Sequence, residues 1–265
     1  MCLLLIALEQ HPTYKLILAA NRDEYYDRPT AAARFWENHR DLLAGRDLKA
    51  GGTWLGITRS GRLAAITNFR DPAHTIEQAP SRGGLVLNFL KSRQSAARYL
   101  DGIRQNARQY NGFNLVAGTV DALFWYSNRG PGIRRLSKGI YALSNHLLDT
   151  PWPKVVNAKQ KFSALLARGE ALQPDACFAM LSDRRRPPDE SLPHTGAGLE
   201  WERILSPIFI SSPLYGTRSS TVILVDRRGR VLFAERTYTG RPDRFQDVTR
   251  RFALENTAPL CAAER

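Results

Sequence analysis

Apolar positions in this chain come in short blocks, and most of the blocks have the length and boundaries of β-strands. Cys2–Leu8 is apolar throughout, a turn follows at Glu9-Gln10-His11-Pro12-Thr13, and a second run fills 14–20, which predicts an N-terminal β-hairpin. Residues 22–49 are polar and irregular. A second hairpin is predicted from 51–58, the turn Arg59-Ser60-Gly61 and Arg62–Asn68. Helical periodicity then covers 84–107, broken near 92–95, and Phe113–Thr119, Ala122–Ser127 and 132–143 read as a three-stranded meander. Residues 153–167 and Pro174–Leu181 read as helices, each with a proline in its first turn, where the missing N–H costs nothing. After a proline-rich loop at 186–193, a last hairpin is formed by 220–226 and 231–237 around the turn 227–230. Strands and helices interleave without a linker or repeat. The pattern predicts one α+β domain over 1–265, with packed sheets carrying helices on their outer faces.

Composition narrows the function classes. The 265 residues are 43% hydrophobic and 24% charged, enough apolar material for a sizeable core and too much for a disordered or fibrous chain. The first apolar run ends at Glu9, far short of the roughly 20 residues that span a bilayer, so no transmembrane segment is expected. No Lys or Arg precedes that run, which argues against a signal peptide. Three dispersed cysteines, Cys2, Cys177 and Cys261, suit neither a disulfide framework nor paired metal ligands. They point to a reducing, cytoplasmic compartment, with Cys177 and Cys261 in structural roles.

Basic residues number 38 against 25 acidic ones, a formal charge of +13, with clusters at Arg184, Arg185, Arg186 and at 227–230. These clusters are either solvated surface or a means of holding a phosphate or carboxylate ligand, for which arginine offers bidentate geometry. No nucleic-acid-binding motif accompanies them. The five histidines lie too far apart for a metal set, and His146 or His39 as an axial haem ligand stands against the simpler reading of surface histidines. Gly51-Gly52 and Gly83-Gly84 lack the spacing of a P-loop or dinucleotide fingerprint.

Candidate chemistry begins at Cys2. Excision of Met1 would leave a residue carrying both a thiol and an α-amine, so the amine can serve as base for the thiol. A small apolar residue that merely opens a strand is the alternative. Asn21-Arg22-Asp23-Glu24 closes the strand that returns to Cys2. Alternation places Asn21 and Asp23 on one face and Arg22 and Glu24 on the other, so Asp23 can orient the Cys2 amine while Arg22 binds an anion or lowers a thiol pKa; a polar turn with one local ion pair is the alternative. Asn68 and Asn145, at strand ends, are candidate oxyanion donors or ordinary turn residues. Arg218 precedes a strongly β-patterned strand and can bring a guanidinium to the same cleft.

Taken together, Cys2, Asn21-Arg22-Asp23-Glu24, Gly51-Gly52-Thr53-Trp54-Leu55-Gly56, Thr67-Asn68-Phe69-Arg70, Ser81-Arg82-Gly83, Leu143-Ser144-Asn145, the segment from Asp149 to Val155 that contains Trp152-Pro153-Lys154, and Tyr215-Gly216-Thr217-Arg218-Ser219 resemble the NRDE family, that of transport and Golgi organization protein 2. The resemblance covers about 2–235 and leaves 236–265 as a C-terminal extension. It implies a four-layer αββα sandwich of the N-terminal nucleophile hydrolase type, and a link to haem mobilisation or to acyl-coenzyme A and lipid metabolism. More distantly, the layout is similar to the cholylglycine hydrolase and penicillin V acylase group, whose mature N-terminal cysteine is the nucleophile. By that likeness Cys2 is the nucleophile, with Asp23, Asn68 and Asn145 at its other catalytic positions. The group carries an arginine three residues before its aspartate; here that position is Ala20, with Arg22 beside Asp23 and on the other strand face, so the thiolate-stabilising charge is either missing or supplied by Arg218. Two functions follow. One is a Cys2-dependent hydrolase or acyl transferase acting on an amide or thioester, with no required cofactor. The other is a binding or trafficking protein for an anionic small molecule, haem or acyl-coenzyme A, held by Asn21, Arg22, Glu24 and Arg28.

Overall fold

The first strand, β1 (Cys2–Leu8), is apolar at every position because both of its faces are covered. In the computed structural model, which describes residues 2–239 and 243–255, β1 lies inside a six-stranded antiparallel sheet. Its neighbours are β2 (Tyr14–Tyr25) and β10 (Gly139–Leu143), and beyond β2 come β11 (Tyr215–Asp226), β12 (Arg230–Tyr238) and β13 (Phe245–Ala253). A second sheet of seven strands runs in chain order: β3 (Thr30–Trp36), β4 (His39–Asp47), β5 (Leu55–Thr58), β6 (Arg62–Asn68), β7 (Phe113–Thr119), β8 (Ala122–Ser127) and β9 (Arg134–Arg135).

Alternation along each strand sorts the core into layers. Leu4, Ile6 and Leu18 of the first sheet meet Leu55, Ile57, Leu63 and Val116 of the second. On the outer face of the first sheet, Leu3, Leu5, Ile17 and Val222 pack on α3 (Pro153–Leu166) and α4 (Pro174–Leu181) through Val155, Phe162 and Phe178. On the outer face of the second, Leu42, Ala64 and Leu115 pack on α1 (Gly83–Lys91) and α2 (Ala96–Asn106) through Phe89 and Leu100. The result is an αββα sandwich; a fifth helix, α5 (Leu199–Leu205), covers one end of the first sheet's helical layer. No described helix is long and apolar enough to cross a membrane.

Three departures from the sequence reading have physical causes. Residues 22–49 hold the end of β2 and the hairpin β3–β4, whose register shifts at Ala31/Arg34 and Phe35/Trp36 destroy the period-2 signal. The predicted meander does not close: β10 leaves β9 behind, crosses to the other sheet and pairs with β1, Leu4 opposite Leu143. β13 lies in the stretch beyond the family resemblance and is mostly exposed, an edge strand with few apolar positions. Cys261 lies outside the described residues.

Candidate active site

Strand and helix ends converge on Cys2. The register of β1 on β2 puts Cys2 opposite Arg22, and Asp23 follows at the point where β2 pairs with β11. The crossing of β10 delivers Ser144 and Asn145 to the same place: Ser144 Oγ donates to the Cys2 carbonyl at 3.1 Å. Asn145 Nδ2 donates to the Asn68 carbonyl at 2.9 Å, Thr67 Oγ1 to the Ser144 carbonyl at 2.7 Å, and the Arg70 N–H to the Asn145 carbonyl at 2.7 Å. These bonds lock the ends of β6 and β10 together across the two sheets.

The Cys2 side chain is partly buried, and burial pushes its thiol up; the Asp23 carboxylate acts in the same direction, while Arg22 and a hydrogen bond from the Asp23 backbone N–H act against it. Arg22 therefore belongs to the Cys2 centre. Opposed residues in an antiparallel pair share a face, and Arg22, Cys2 and Trp54 line one small internal cavity, with the guanidinium 4.3 Å from the Trp54 ring centre and donating to Thr30 Oγ1 at 3.3 Å. Ala20, which opposes Leu4, faces the same way as Arg22, so Arg22 does not lie on the other strand face; it stands two residues further along the same face, opposite Cys2.

Asp23 is almost fully buried, which raises its carboxyl, and Thr217 Oγ1 donates to Oδ1 at 2.7 Å while the Tyr215 hydroxyl donates to its carbonyl at 2.9 Å. Asn68 is half-buried at the mouth of the site. Asn145 has no exposed surface, and with one amide N–H given to Asn68 it fixes that residue's backbone.

Other expected site residues are spent elsewhere. Asn21 gives both amide N–H groups to the Leu181 and Ile208 carbonyls, at 2.9 Å each, and accepts from Ser220 Oγ at 2.6 Å, which ties β2 to the helical layer. Arg28 is engaged by Asp47 at 2.7 Å and Glu24 at 3.8 Å. Arg218 is the extra residue of a β-bulge in β11, and its Nη1 donates to the Tyr25 and Arg28 carbonyls at 2.7 and 3.0 Å, so the charge beside the thiol comes from Arg22 instead. Glu24, Arg28 and Arg218 together form a clasp at the end of β2.

Three charged groups were passed over in the sequence although the motifs contain them. Lys154, in the first turn of α3, is 4% exposed and couples electrostatically to Asp23 and Cys2; burial brings its pKa down to about 8. Arg82, at the start of α1, couples to Glu24 and Cys2 and is lowered by burial. Arg70 makes a buried ion pair with Glu202 of α5 beneath the Trp152 ring. Lys154 was legible in principle, since it stands one helical turn before Ala158, on the buried side of α3.

Beside Asn68 and Asn145 opens a groove of about 550 Å³ lined by Phe69, Arg70, His146, Trp152, Pro193 and His194. His146 packs between Phe69 and Trp152, with ring centroids 4.7 and 5.5 Å away, and its Nδ1 is paired with Thr150 Oγ1 at 2.9 Å.

Known proteins resemble this chain in sequence and in fold. The sequence model described as "Transport and Golgi organisation 2" matches residues 1–240. The chain is 41% identical over 281 residues to the Transport and Golgi organization protein 2 homolog of Bos taurus, covering 97% of this chain and 100% of that protein. In structure it is similar to a variant of the conjugated bile acid hydrolase of Clostridium perfringens, with TM-score 0.51, 10% identity, and coverage of 99% and 100% of the two chains. It is also similar to the Caenorhabditis elegans ortholog of N-acylethanolamine-hydrolyzing acid amidase, with TM-score 0.50, 10% identity, and coverage of 84% and 92%. At that identity the likeness is one of fold, and the fold is that of the N-terminal nucleophile hydrolases.

Proposed function

The chain belongs to the Transport and Golgi organisation 2 family, and from that membership and the surroundings of Cys2 we propose that it is a cysteine-dependent hydrolase or acyl transferase for an amide or thioester. One observation carries the reading: the chain's second residue is a partly buried thiol at the start of β1, opposite Arg22 and beside Asp23. In this reading, removal of Met1 frees the Cys2 amine, which takes the thiol proton. The Cys2 sulfur attacks the substrate carbonyl carbon, and the Asn68 amide, held in place by Asn145, donates to the oxyanion. Collapse of the tetrahedral adduct expels the amine or thiol with the proton from the Cys2 amine and leaves an acyl-Cys2 thioester. Water, or an acceptor nucleophile, then releases the acyl group and restores the thiol. The groove of about 550 Å³ beside Asn68 carries an aromatic wall against which an acyl chain would pack.

The test is intact mass and turnover with acyl-coenzyme A and N-acyl amides, for the parent and for Cys2→Ala and Cys2→Ser. The expected result is a Cys2 lacking Met1, an acyl adduct on Cys2 that decays, and loss of at least 100-fold in turnover in Cys2→Ala without loss of fold. A Cys2→Ala protein as active as the parent would overturn the reading.

A second reading, binding or trafficking of an anionic ligand such as haem or acyl-coenzyme A, is favoured by the placement of His146 in the groove. There the Nε2 of His146 is the nitrogen a haem iron would take, because Thr150 holds Nδ1. A ligand that stays bound, unaltered, to a Cys2 that never acylates would decide for it.

A further inference from the structure

A second pocket, of about 300 Å³, opens at the start of α3, with Lys154, Asn157, Arg185, Arg186 and Ser206 in its walls. That volume stands at the lower end of the roughly 300–1,000 Å³ typical of small-molecule sites. Three of the residues lining it are cations and none is Asp or Glu. The acid nearest in the chain, Asp183, is already taken: Lys161 pairs with it, Arg185 grips it through Nε and Nη2 at 3.1 and 3.0 Å, and Asn157 Nδ2 donates to it at 3.3 Å. Two cations therefore share one carboxylate before Lys154 and Arg186 are counted. Lys154 is 4% exposed, and its Nζ donates to the Leu205 carbonyl at 2.9 Å; no carboxylate lies within ion-pair distance of it among the described residues. Arg186 is exposed and makes no ion pair or hydrogen bond among them.

The uncharged polar groups of the pocket are spent and the charged ones are not. Asn157 gives its amide to Asp183, and Ser206 Oγ donates to the Arg203 carbonyl at 2.8 Å. What remains to donate is the Arg185 Nη1, the whole Arg186 guanidinium and two N–H groups of Lys154. Such a set selects an anion over a neutral polar ligand. One guanidinium saturates a carboxylate, whereas three cations from two elements suit a group with three or four acceptor oxygens and up to two negative charges. We propose that this pocket binds the phosphate group of a small molecule, held by Arg185 and Arg186 from the loop after α4 and by Lys154 from α3. Of the three successive arginines in that loop, Arg184 does not line the pocket. Pro153 lines both this pocket and the groove beside Asn68, and a small cavity walled by Trp152, Lys154 and Ser206 adjoins the two, so the phosphate belongs either to the ligand of that groove or to a separate compound. The site does not depend on Cys2 being a nucleophile.

The experiment is calorimetric titration of pyrophosphate into the full chain in about 150 mM salt, where diffuse surface attraction is screened. The parent is compared with R184Q, R186Q, R185Q/R186Q and K154M, and a melting curve is recorded for each. One pyrophosphate per chain is expected, bound about tenfold more weakly by R186Q and about 100-fold more weakly by R185Q/R186Q, with R184Q within about twofold of the parent. K154M is expected to lose about tenfold, and the surface arginines decide the matter should it fail to fold. No binding at millimolar pyrophosphate, or a loss in R184Q equal to that in R186Q, overturns the proposal, the second by showing only a diffuse basic surface. Competition with acyl-coenzyme A separates the two sources of the phosphate: displacement assigns it to the ligand of the groove, and simultaneous binding to a separate compound, with the pocket upheld in both. Pyrophosphate binding without Cys2-dependent turnover would sink the hydrolase reading and keep the pocket; turnover without pyrophosphate binding would do the reverse.

Discussion

Glu235 shows how single residues in this fold carry costs that only the packed structure reveals. Its carboxylate lies between the sheets, accepting from the Ala33 N–H at 2.7 Å and the Thr221 hydroxyl at 3.2 Å, and burial raises its pKa to about 7. Between its ordinary value of 4.5 and about 7, the folded chain binds more protons than the unfolded chain, so stability falls as pH rises through that window. Glu235→Gln keeps both hydrogen bonds, since the Thr221 hydroxyl can turn to accept, and removes the titration. The variant is expected to be more stable than the parent by up to about 3 kcal/mol at pH 8, with the gain fading below pH 5. Denaturant unfolding at pH 5 and pH 8 checks this; an equal difference at both would contradict it. Residues of this kind are hard to read from sequence. Cys2, Asp23 and Asn68 stand out because short motifs at strand ends frame them, whereas Glu235 sits in a run of ordinary strand residues and owes its importance to Ala33, some 200 positions away.

Elements were legible where one rule governed them. β1, β6, β7 and β8 are short apolar runs bounded by turns, and α3 and α4 open on prolines, so pattern alone located them. The hairpin β3–β4 escaped because its bulges break alternation, and β10 was assigned to the wrong sheet because a strand's sequence does not encode its partner. The glycine pairs at 51–52 and 83–84 fit no nucleotide motif, and the structure supplies their reason. A Cβ on Gly52 would lie 2.6 Å from the Gly83 carbonyl carbon and 2.8 Å from its oxygen, so the loop before β5 and the first turn of α1 touch backbone to backbone. Gly52→Ala is expected to push the start of α1 away, costing about 2 kcal/mol or more and slowing Cys2 alkylation as Arg82 withdraws. Gly84 has open space at the Cβ position, so Gly84→Ala is the control: neutral, or stabilising by up to about 1 kcal/mol. Comparison of the two melting curves and labelling rates tests the contact, and a Gly52→Ala protein that behaves like Gly84→Ala would dismiss it.

At the scale of the whole molecule, the site is a property of how the sandwich closes, which is why the sequence offered Cys2, Asp23, Asn68 and Asn145 but not Lys154 or Arg82. The last two stand at the starts of the outer helices α3 and α1, and they act on Cys2 through charge rather than through contact. The opposite end of the sandwich is closed by different means. Leu254 N–H donates to the Gly229 carbonyl at 2.8 Å and Glu255 N–H to the Arg59 carbonyl at 2.9 Å, in the β5–β6 turn that lies a full strand away from Asn68. Phe252 packs edge-on against Phe35 at 5.6 Å, and Arg59 covers both rings. β13 and the residues after it therefore staple the two sheets together far from the thiol, in a stretch that lies beyond the matched residues 1–240. A chain ending at Arg244 is expected to lose about 3–5 kcal/mol, from the partial burial of Val248, Phe252 and Leu254, and to expose β12 as an open edge prone to association. Its Cys2 alkylation profile, measured well below the melting temperature, is expected to match that of the full chain, because β13 pairs with β12 and three strands, β2, β11 and β12, separate it from β1. Lowered melting with an unchanged profile would assign this stretch to stability; a lost or shifted profile in a protein that still melts cooperatively would mean that the two ends of the sandwich are coupled through the sheets.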